Sequence, residues 1–196
     1  MRRSSFLLVL AGLLVAASMP PWGWWPLGFI GIALYGSVAV QRREKTFSTG
    51  FLFAAAWFLP SMAWMWFLTA PGYIVAILIF CVMHGVASYI AATLSNTDSS
   101  HRTALIICHS LAEVLRLSFP FGGVPLATLA IGQVSDPLAD LASLMGVIGI
   151  TTATLYLALT DHRLRAICVV GILVLVGSTW NSTQSMGRTL NLSIVQ

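Results

Sequence analysis

The chain has 196 residues, of which 58% are hydrophobic and only 8% are charged. A soluble domain carries about 25% charged residues, so the composition excludes an ordinary soluble protein and indicates one with several membrane segments. The formal net charge is +4, but the basic residues are scattered rather than gathered into a patch, which argues against nucleic-acid binding.

Seven apolar segments follow one another along the chain. A membrane-spanning helix needs about 20 residues, with a range of about 17–25. We therefore predict an all-α, polytopic transmembrane helix bundle of about seven spans over residues 1–188, the first two spans being short. The segments are Ser5–Met19, Trp25–Val40, Phe47–Thr69, Tyr73–Leu94, Thr103–Phe119, Leu138–Thr160 and Arg165–Trp180.

The first two segments are separated by a run of prolines and tryptophans, residues 20–26. Prolines end helices and tryptophan favours the headgroup zone, so this run predicts a turn at the membrane interface. Trp24 and Trp25 belong to it and are candidate lipid contacts. Segment three carries Pro60, which should kink its helix.

The basic residues predict the orientation. With the N-terminus in the cytoplasm, seven crossings place eight of the ten lysines and arginines inside, as the positive-inside rule expects. The C-terminal tail then faces the periplasm or the cell exterior. The eight inside residues are Arg2, Arg3, Arg42, Arg43, Lys45, Arg102, Arg163 and Arg165.

Segment one has a second interpretation. Arg2 and Arg3 precede an apolar run that ends in small residues, as in a cleaved secretory signal peptide. An uncleaved helix is favoured, because the prolines and tryptophans that follow make a poor cleavage site. Either way, the later crossings keep their direction.

Two charges fall inside a predicted span. Glu113 and Arg116 stand at i and i+3 of segment five, close enough to pair on one helix face. Charged residues at membrane depth are expensive and often mark a functional site. The pair is either a structural ion pair or a lipid-binding element, in which Arg116 could hold a phospholipid phosphate.

The stretch after segment five cannot form a continuous helix, since residues 119–126 contain two prolines and two glycines. Irregular backbone at membrane depth is tolerated where it lines a cavity, so a lipid-access groove containing Gly123, Pro125 and Gln133 is predicted. A hydrophobic loop lying on the membrane is the alternative. His84 and His109 are interpreted as packing residues.

Catalytic, metal and cofactor sites are not predicted. The three cysteines lie in apolar runs without a C-x-x-C pair, no two acids are placed for acid–base work, and phosphate-loop and hydrolase motifs are absent.

The C-terminal residues show the pattern of a strand instead of a membrane helix. Leu190, Leu192 and Ile194 alternate with polar residues, as in a half-buried strand. Residues 189–196 are therefore expected to begin a further, water-soluble domain.

An ordered series of short motifs spans nearly the whole chain. It resembles the N-terminal membrane region of apolipoprotein N-acyltransferases, and the tail is similar to the first strand of that family's nitrilase-like α/β domain. The series comprises the Pro20–Leu27 turn, Gly50 and Trp57, Glu113-x-x-Arg116, Gly123-x-Pro125, Gly132-Gln133, Pro137-Leu138 and Gly146-x-x-Gly149.

The resemblance implies a multi-pass protein of the bacterial inner membrane. Its partners would be a membrane phospholipid, as acyl donor, and a diacylglyceryl lipoprotein, whose N-terminal cysteine receives the acyl chain. The family's Glu-Lys-Cys triad lies in the nitrilase-like domain, beyond residue 196, so this chain alone is expected to bind lipid without catalysing the transfer. The alternatives are a membrane anchor for a separately encoded nitrilase-like or glycosyltransferase enzyme and, less favoured, a small transporter subunit.

Overall fold

The described part of the chain folds into seven α-helices, and short 3₁₀ turns lie in three of the connections between them. The computed structural model describes residues 2–120, 122, 126–135 and 137–184, and every regular element in those ranges is helical. This confirms the all-α prediction there, whereas the predicted strand at residues 189–196 lies outside them. The helices are α1 (Arg2–Ala17), α2 (Trp25–Gln41), α3 (Thr46–Ser61), α4 (Ala70–Thr93), α5 (Asp98–Ser118), α6 (Ala142–Leu159) and α7 (Arg163–Gln184).

Each predicted apolar segment overlaps one of these helices, and the largest difference is at the end of segment three. It was expected to continue to Thr69 with a kink at Pro60, but α3 ends at Ser61. A 3₁₀ turn, Ala63–Phe67, follows instead. The difference has a local cause: Pro60 has no N–H for the helix ladder, so the regular hydrogen bonding ends within the next turn.

Length and composition identify two stretches of the described chain as able to cross a membrane. They are α4 and residues Pro137–Leu159, which comprise a 3₁₀ turn and α6. The apolar stretches of α1, α2 and α7 are too short to be identified as membrane-spanning by length. The count of seven spans therefore stays a prediction.

The first six helices pack in a closed ring. Going around it, α1 contacts α2, α2 contacts α6, α6 contacts α5, α5 contacts α4, α4 contacts α3, and α3 returns to α1. α7 packs on α6 and on the preceding 3₁₀ turn, outside the ring. Side chains that point inward from α2, α4 and α5 therefore meet at the centre.

Glycines allow close backbone approach at three contacts of the ring. A Cβ on Gly12 would lie 2.5 Å from the Phe53 carbonyl oxygen, and one on Gly50 would overlap the carbonyl oxygen of His84. Gly31 meets the Ala11 carbonyl oxygen of α1 in the same way, whereas Gly36 of α2 leaves room for the Leu159 side chain of α6. Small residues at helix contacts are typical of membrane bundles, because they bring backbones together without a hydrophobic driving force.

The loops rich in basic residues meet at one end of the bundle. Arg43 donates hydrogen bonds to the carbonyl oxygens of Ser95 and Thr97, at 3.1 Å and 2.6 Å. Arg102 pairs with Asp161 at 3.1 Å. These contacts connect the loops before α3, α5 and α7, which were predicted to lie on one side of the membrane. That this side is the cytoplasm stays a prediction.

Helix α1 belongs to the packed core. Leu8, Ala11 and Val15 are fully buried, and they form one cluster with residues of the other ring helices. This packing favours the interpretation of segment one as a bundle helix, since removing it would expose that cluster.

Candidate functional site

The candidate site is built around the inward face of α5. A capping box formed by Thr97 and Ser100 starts this helix, so its register is fixed from the first turn. Residues at helical spacing then point into the ring, namely His101, Leu105, His109, Glu113 and Arg116, and all five are buried.

Glu113 and Arg116 form the predicted ion pair. Nη2 of Arg116 donates to both carboxylate oxygens of Glu113, at 2.6 Å and 2.7 Å. The two residues are 0% and 2% exposed, so the pair lies inside the bundle rather than at its outer surface. At such a site the charges compensate each other, since either one alone would be costly.

Arg116 also connects α5 to the segment that follows the irregular stretch. Its Nη1 donates to the carbonyl oxygen of Leu126. Its guanidinium carbon lies 4.7 Å from the ring centre of Phe80 and 4.9 Å from that of Phe58, within the range of cation–π contacts. Arg116 is therefore engaged by protein groups on several sides.

Two histidines extend the pair toward the centre of the ring. His84 of α4 places Nε2 at 3.5 Å from Oε1 of Glu113. Its Nδ1 lies 2.8 Å from Nδ1 of His109, and the two ring planes are 23° from parallel with centres 5.1 Å apart, so the rings meet edge to edge. The sequence predicted that both histidines only pack, and it missed their place beside Glu113.

A tyrosine and a serine complete the polar cluster. The Tyr35 hydroxyl lies 2.8 Å from Nε2 of His109 and 2.6 Å from Oγ of Ser88. Phe53 stacks on the Tyr35 ring with centres 4.2 Å apart, which fixes the ring's orientation. The cluster therefore contains side chains of α2, α4 and α5 in one connected series.

A small cavity of about 10 Å³ lies beside this cluster. Tyr35, Trp57, His84, His109 and Glu113 contribute to its lining. This volume is at the lower limit for a single water molecule, so the cluster is not a pocket for an organic substrate.

The other predicted site residues lie elsewhere. Gln133 is 0% exposed, and its amide group has no hydrogen-bond partner among the described residues. It lies over the first turns of α2, where a Cβ on Gly28 would be 3.0 Å from Nε2 of Gln133.

Trp24 is 59% exposed just before α2, and Trp25 begins that helix with its ring against Phe29. Gly123 and Pro125 lie outside the described residues.

One sequence signal could have placed His109 on the same helix face as Glu113. His109, Glu113 and Arg116 are spaced i, i+4 and i+7, which is one face of a helix. His84 has no comparable local signal, because its relation to Glu113 arises only from the packing of α4 on α5.

Within the described residues, no group of three or more histidines, cysteines or acids could hold a metal ion.

Comparison with known proteins identifies the family. Residues 11–160 match the family model of the apolipoprotein N-acyltransferase N-terminal domain. The chain is also 26% identical over 205 aligned residues to an apolipoprotein N-acyltransferase of Rhizobium rhizogenes. That alignment covers 90% of this chain and 38% of the relative, so the chain spans less than half of the relative's length. Because the family model covers α2 to α6 and part of α1, the chain belongs to the apolipoprotein N-acyltransferase family through its N-terminal domain.

Proposed function

We propose that this chain is the lipid-binding membrane part of an apolipoprotein N-acyltransferase of the bacterial inner membrane. The full reaction would move an acyl chain from a phospholipid to the N-terminal cysteine of a diacylglyceryl lipoprotein. The observation that carries the proposal is the family match over residues 11–160. The seven spans, the cytoplasmic N-terminus and a nitrilase-like domain that begins at residues 189–196 are parts of the same proposal.

The chain by itself is proposed to lack the transfer chemistry. Cys81 and Cys108 are buried, and no hydrogen bond among the described residues joins Cys81, Cys108 or Cys168 to a base. A cysteine nucleophile needs a neighbouring base or cation that favours its thiolate. The carboxylate of Glu113 is engaged by Arg116, which makes it a poor general base.

An apolar groove between α4 and α5 is the proposed seat of an acyl chain. It measures about 350 Å³ and opens on the outside of the ring. Its lining is almost entirely aliphatic, which matches the chemistry of a hydrocarbon tail. The lining residues include Val82, Val86, Ile90, Leu111 and Leu115.

The predicted site residues would act at the membrane interface. Glu113 and Arg116 are proposed to hold the segment from Leu126 to Gln133 in place through the Leu126 carbonyl, instead of binding a phosphate directly. Trp24 and Trp25 are proposed to sit at headgroup level, where tryptophan is favoured. Gly123 and Pro125 would belong to the same lipid-access region.

The proposal is tested by joining this chain to the remainder of the Rhizobium relative and expressing the fusion as the only acyltransferase in a cell. Mass spectrometry of a lipoprotein's N-terminal peptide then reads out acylation. A triacylated cysteine from the fusion, with a diacylglyceryl cysteine from the unfused chain, is the expected result.

Two outcomes would contradict it. A fusion that is present in the membrane at normal amounts but leaves the cysteine unacylated argues against the shared function. A triacylated cysteine from the unfused chain would place a nucleophile within these 196 residues. The control is the relative's own full-length enzyme, expressed at the same level.

A further inference from the structure

We propose that the connection between α3 and α4 is an uncharged anchor that inserts into the lipid interface. This aromatic turn comprises residues 63–68 and includes the 3₁₀ turn Ala63–Phe67. Its partner is the bilayer itself, at the boundary between hydrocarbon and headgroups. The inference rests on the membrane location in the proposed function and adds a lipid contact separate from the groove between α4 and α5.

The aromatic turn exposes four large apolar side chains within five consecutive positions. Single exposed apolar residues are ordinary, but a contiguous group of them marks an interaction surface. The four are Phe67 at 90% exposed, Leu68 at 73%, Trp64 at 54% and Trp66 at 52%.

Contacts with the two flanking helices hold the aromatic turn in place. Met65 packs against the core, and its carbonyl oxygen accepts a hydrogen bond from the backbone N–H of Thr69 at 2.9 Å. Tyr73 of α4 donates its hydroxyl to the carbonyl oxygen of Leu59 on α3 at 2.7 Å. The Tyr73 ring also meets the ring of Trp66 edge-on, with centres 5.9 Å apart. The fold itself therefore keeps the apolar side chains exposed.

The chemistry of the aromatic turn fits lipid better than protein. Residues 46–97 contain no aspartate, glutamate, lysine or arginine. Among the side chains of the turn, only the indole N–H groups of Trp64 and Trp66 can form hydrogen bonds. A protein interface carries about one hydrogen bond per 100–200 Å², whereas the membrane interface favours apolar rings with one polar edge.

The outer face of α4 continues the apolar surface of the turn. An outward stripe of aliphatic residues runs along this helix at i, i+4 spacing, and Tyr89 lies exposed near its far end. An aliphatic middle between aromatic ends is the arrangement that a bilayer favours. The stripe comprises Ile74, Leu78, Val82, Val86 and Ile90, each between 41% and 56% exposed.

The length of α4 places the aromatic turn at a boundary of the hydrocarbon layer. The rise along the helix from Ala70 to Tyr89 is about 29 Å, close to the ~30 Å hydrocarbon thickness of a bilayer. The far end of α4 leads to the loop that Arg43 binds through the backbone of Ser95 and Thr97. The basic loops and the aromatic turn therefore lie at opposite boundaries.

The test is ¹⁹F NMR of the full chain, labelled with fluorotryptophan, in phosphatidylcholine nanodiscs. The chain has seven tryptophans, and single Trp→Phe replacements assign their signals. Two paramagnetic probes are compared. One is a phosphatidylcholine that carries a nitroxide on its acyl chain near the glycerol, and the other is a water-soluble gadolinium chelate.

We expect the lipid nitroxide to broaden the Trp64 and Trp66 signals several-fold more than the chelate does. Trp57 is fully buried and should be broadened by neither probe, so it is the internal control. Equal or stronger broadening of Trp64 and Trp66 by the chelate would overturn the inference, because the turn would then stand in water. Broadening by neither probe would also overturn it, because protein, such as a second copy of the chain, would then cover the turn.

Co-elution of the chain with the nanodiscs tests the membrane location separately. A chain that enters the discs with its aromatic turn in water overturns this inference and leaves the proposed function standing. A chain that does not enter the discs contradicts both.

Phe67→Glu tests the same contact by placing a charge in the turn. A carboxylate is disfavoured among lipids, so we expect the chelate to broaden Trp66 several-fold more than in the unmodified chain. Phe67 is almost fully exposed, so its replacement should leave the fold intact. Val134→Glu is the matched control, since Val134 is an exposed apolar residue in the segment after α5. An unchanged Trp66 signal in Phe67→Glu would contradict the anchor.

Discussion

Nη2 of Arg116 serves both carboxylate oxygens of Glu113, three residues earlier on α5, and this leaves Nη1 for the carbonyl oxygen of Leu126. One guanidinium thus joins a buried charge on a helix to the backbone of the next segment. The arrangement also shields the charge of Arg116 with the rings of Phe58 and Phe80. It explains how two charges can lie inside a bundle of this composition.

We predict that Glu113→Gln and Arg116→Met each destabilise the bundle strongly, by about 3–5 kcal/mol, because each leaves the partner's charge buried and uncompensated. The double variant should be less destabilised than the sum of the two single variants. Thermal unfolding of all four proteins in the same detergent measures this non-additivity. Strictly additive losses would contradict the picture of a mutually compensated pair.

We predict that Gly50→Ala destabilises the contact of α3 with α4. The added Cβ would overlap the carbonyl oxygen of His84 and Oγ of Ser88. Such overpacking costs about 1–3 kcal/mol. The control is Gly171→Ala in α7, where a Cβ meets nothing within 4 Å and alanine should be neutral or stabilising. Equal melting temperatures for the two variants would argue against the close approach.

We predict an acid sensitivity that arises at His101, in the first turn of α5 before its apolar run. Burial lowers the pKa of His101, and the charge of Arg43 lowers it further. The unfolded chain therefore takes up this proton more readily, so the free energy of unfolding should fall as the pH drops below about 6.5. His101→Asn should lose less stability than the unmodified chain between about pH 7 and about pH 5, the range around that unfolded-state pKa. Parallel losses in the two proteins would exclude His101 as a source.

We predict that filling the groove between α4 and α5 reduces lipid contact there. Val86→Trp and Leu111→Trp place a bulky ring among the groove's lining residues. Labelling by a phospholipid with a photoreactive acyl chain, read by mass spectrometry of peptides from α4 and α5, should fall several-fold. Leu175→Trp on the exposed surface of α7 is the control. Unchanged labelling of the groove peptides would argue against an acyl-chain seat.

The sequence predicted where the helices lie because stretches of polar residues or prolines separate the apolar runs. Pro26 lies in the first turn of α2, and Thr97 caps α5. The end of α3 was less predictable, because Pro60 can either kink a helix or end it, and the outcome depends on what the following residues contact. The Glu113–Arg116 pair was predictable from its spacing alone.

The rest of the polar cluster depends on long-range packing. Tyr35, Ser88 and His109 lie on three helices that are separated by many residues in sequence, and each one alone resembles an ordinary buried residue of a membrane helix. Only the contact of α2 and α4 with α5 brings their polar atoms within hydrogen-bond distance. The residue pattern within a single helix does not predict these contacts between helices.

The ring arrangement also sets an order for biosynthesis. α1 and α2 leave the ribosome first, but the face of α1 that carries Gly12 is covered by α3, and the face of α2 that carries Gly36 is covered mainly by Leu159 of α6. These two small-residue faces therefore have no partner until the later helices have been made. The ring closes only when its sixth helix reaches its second, so its first helices are made well before their last contacts can form.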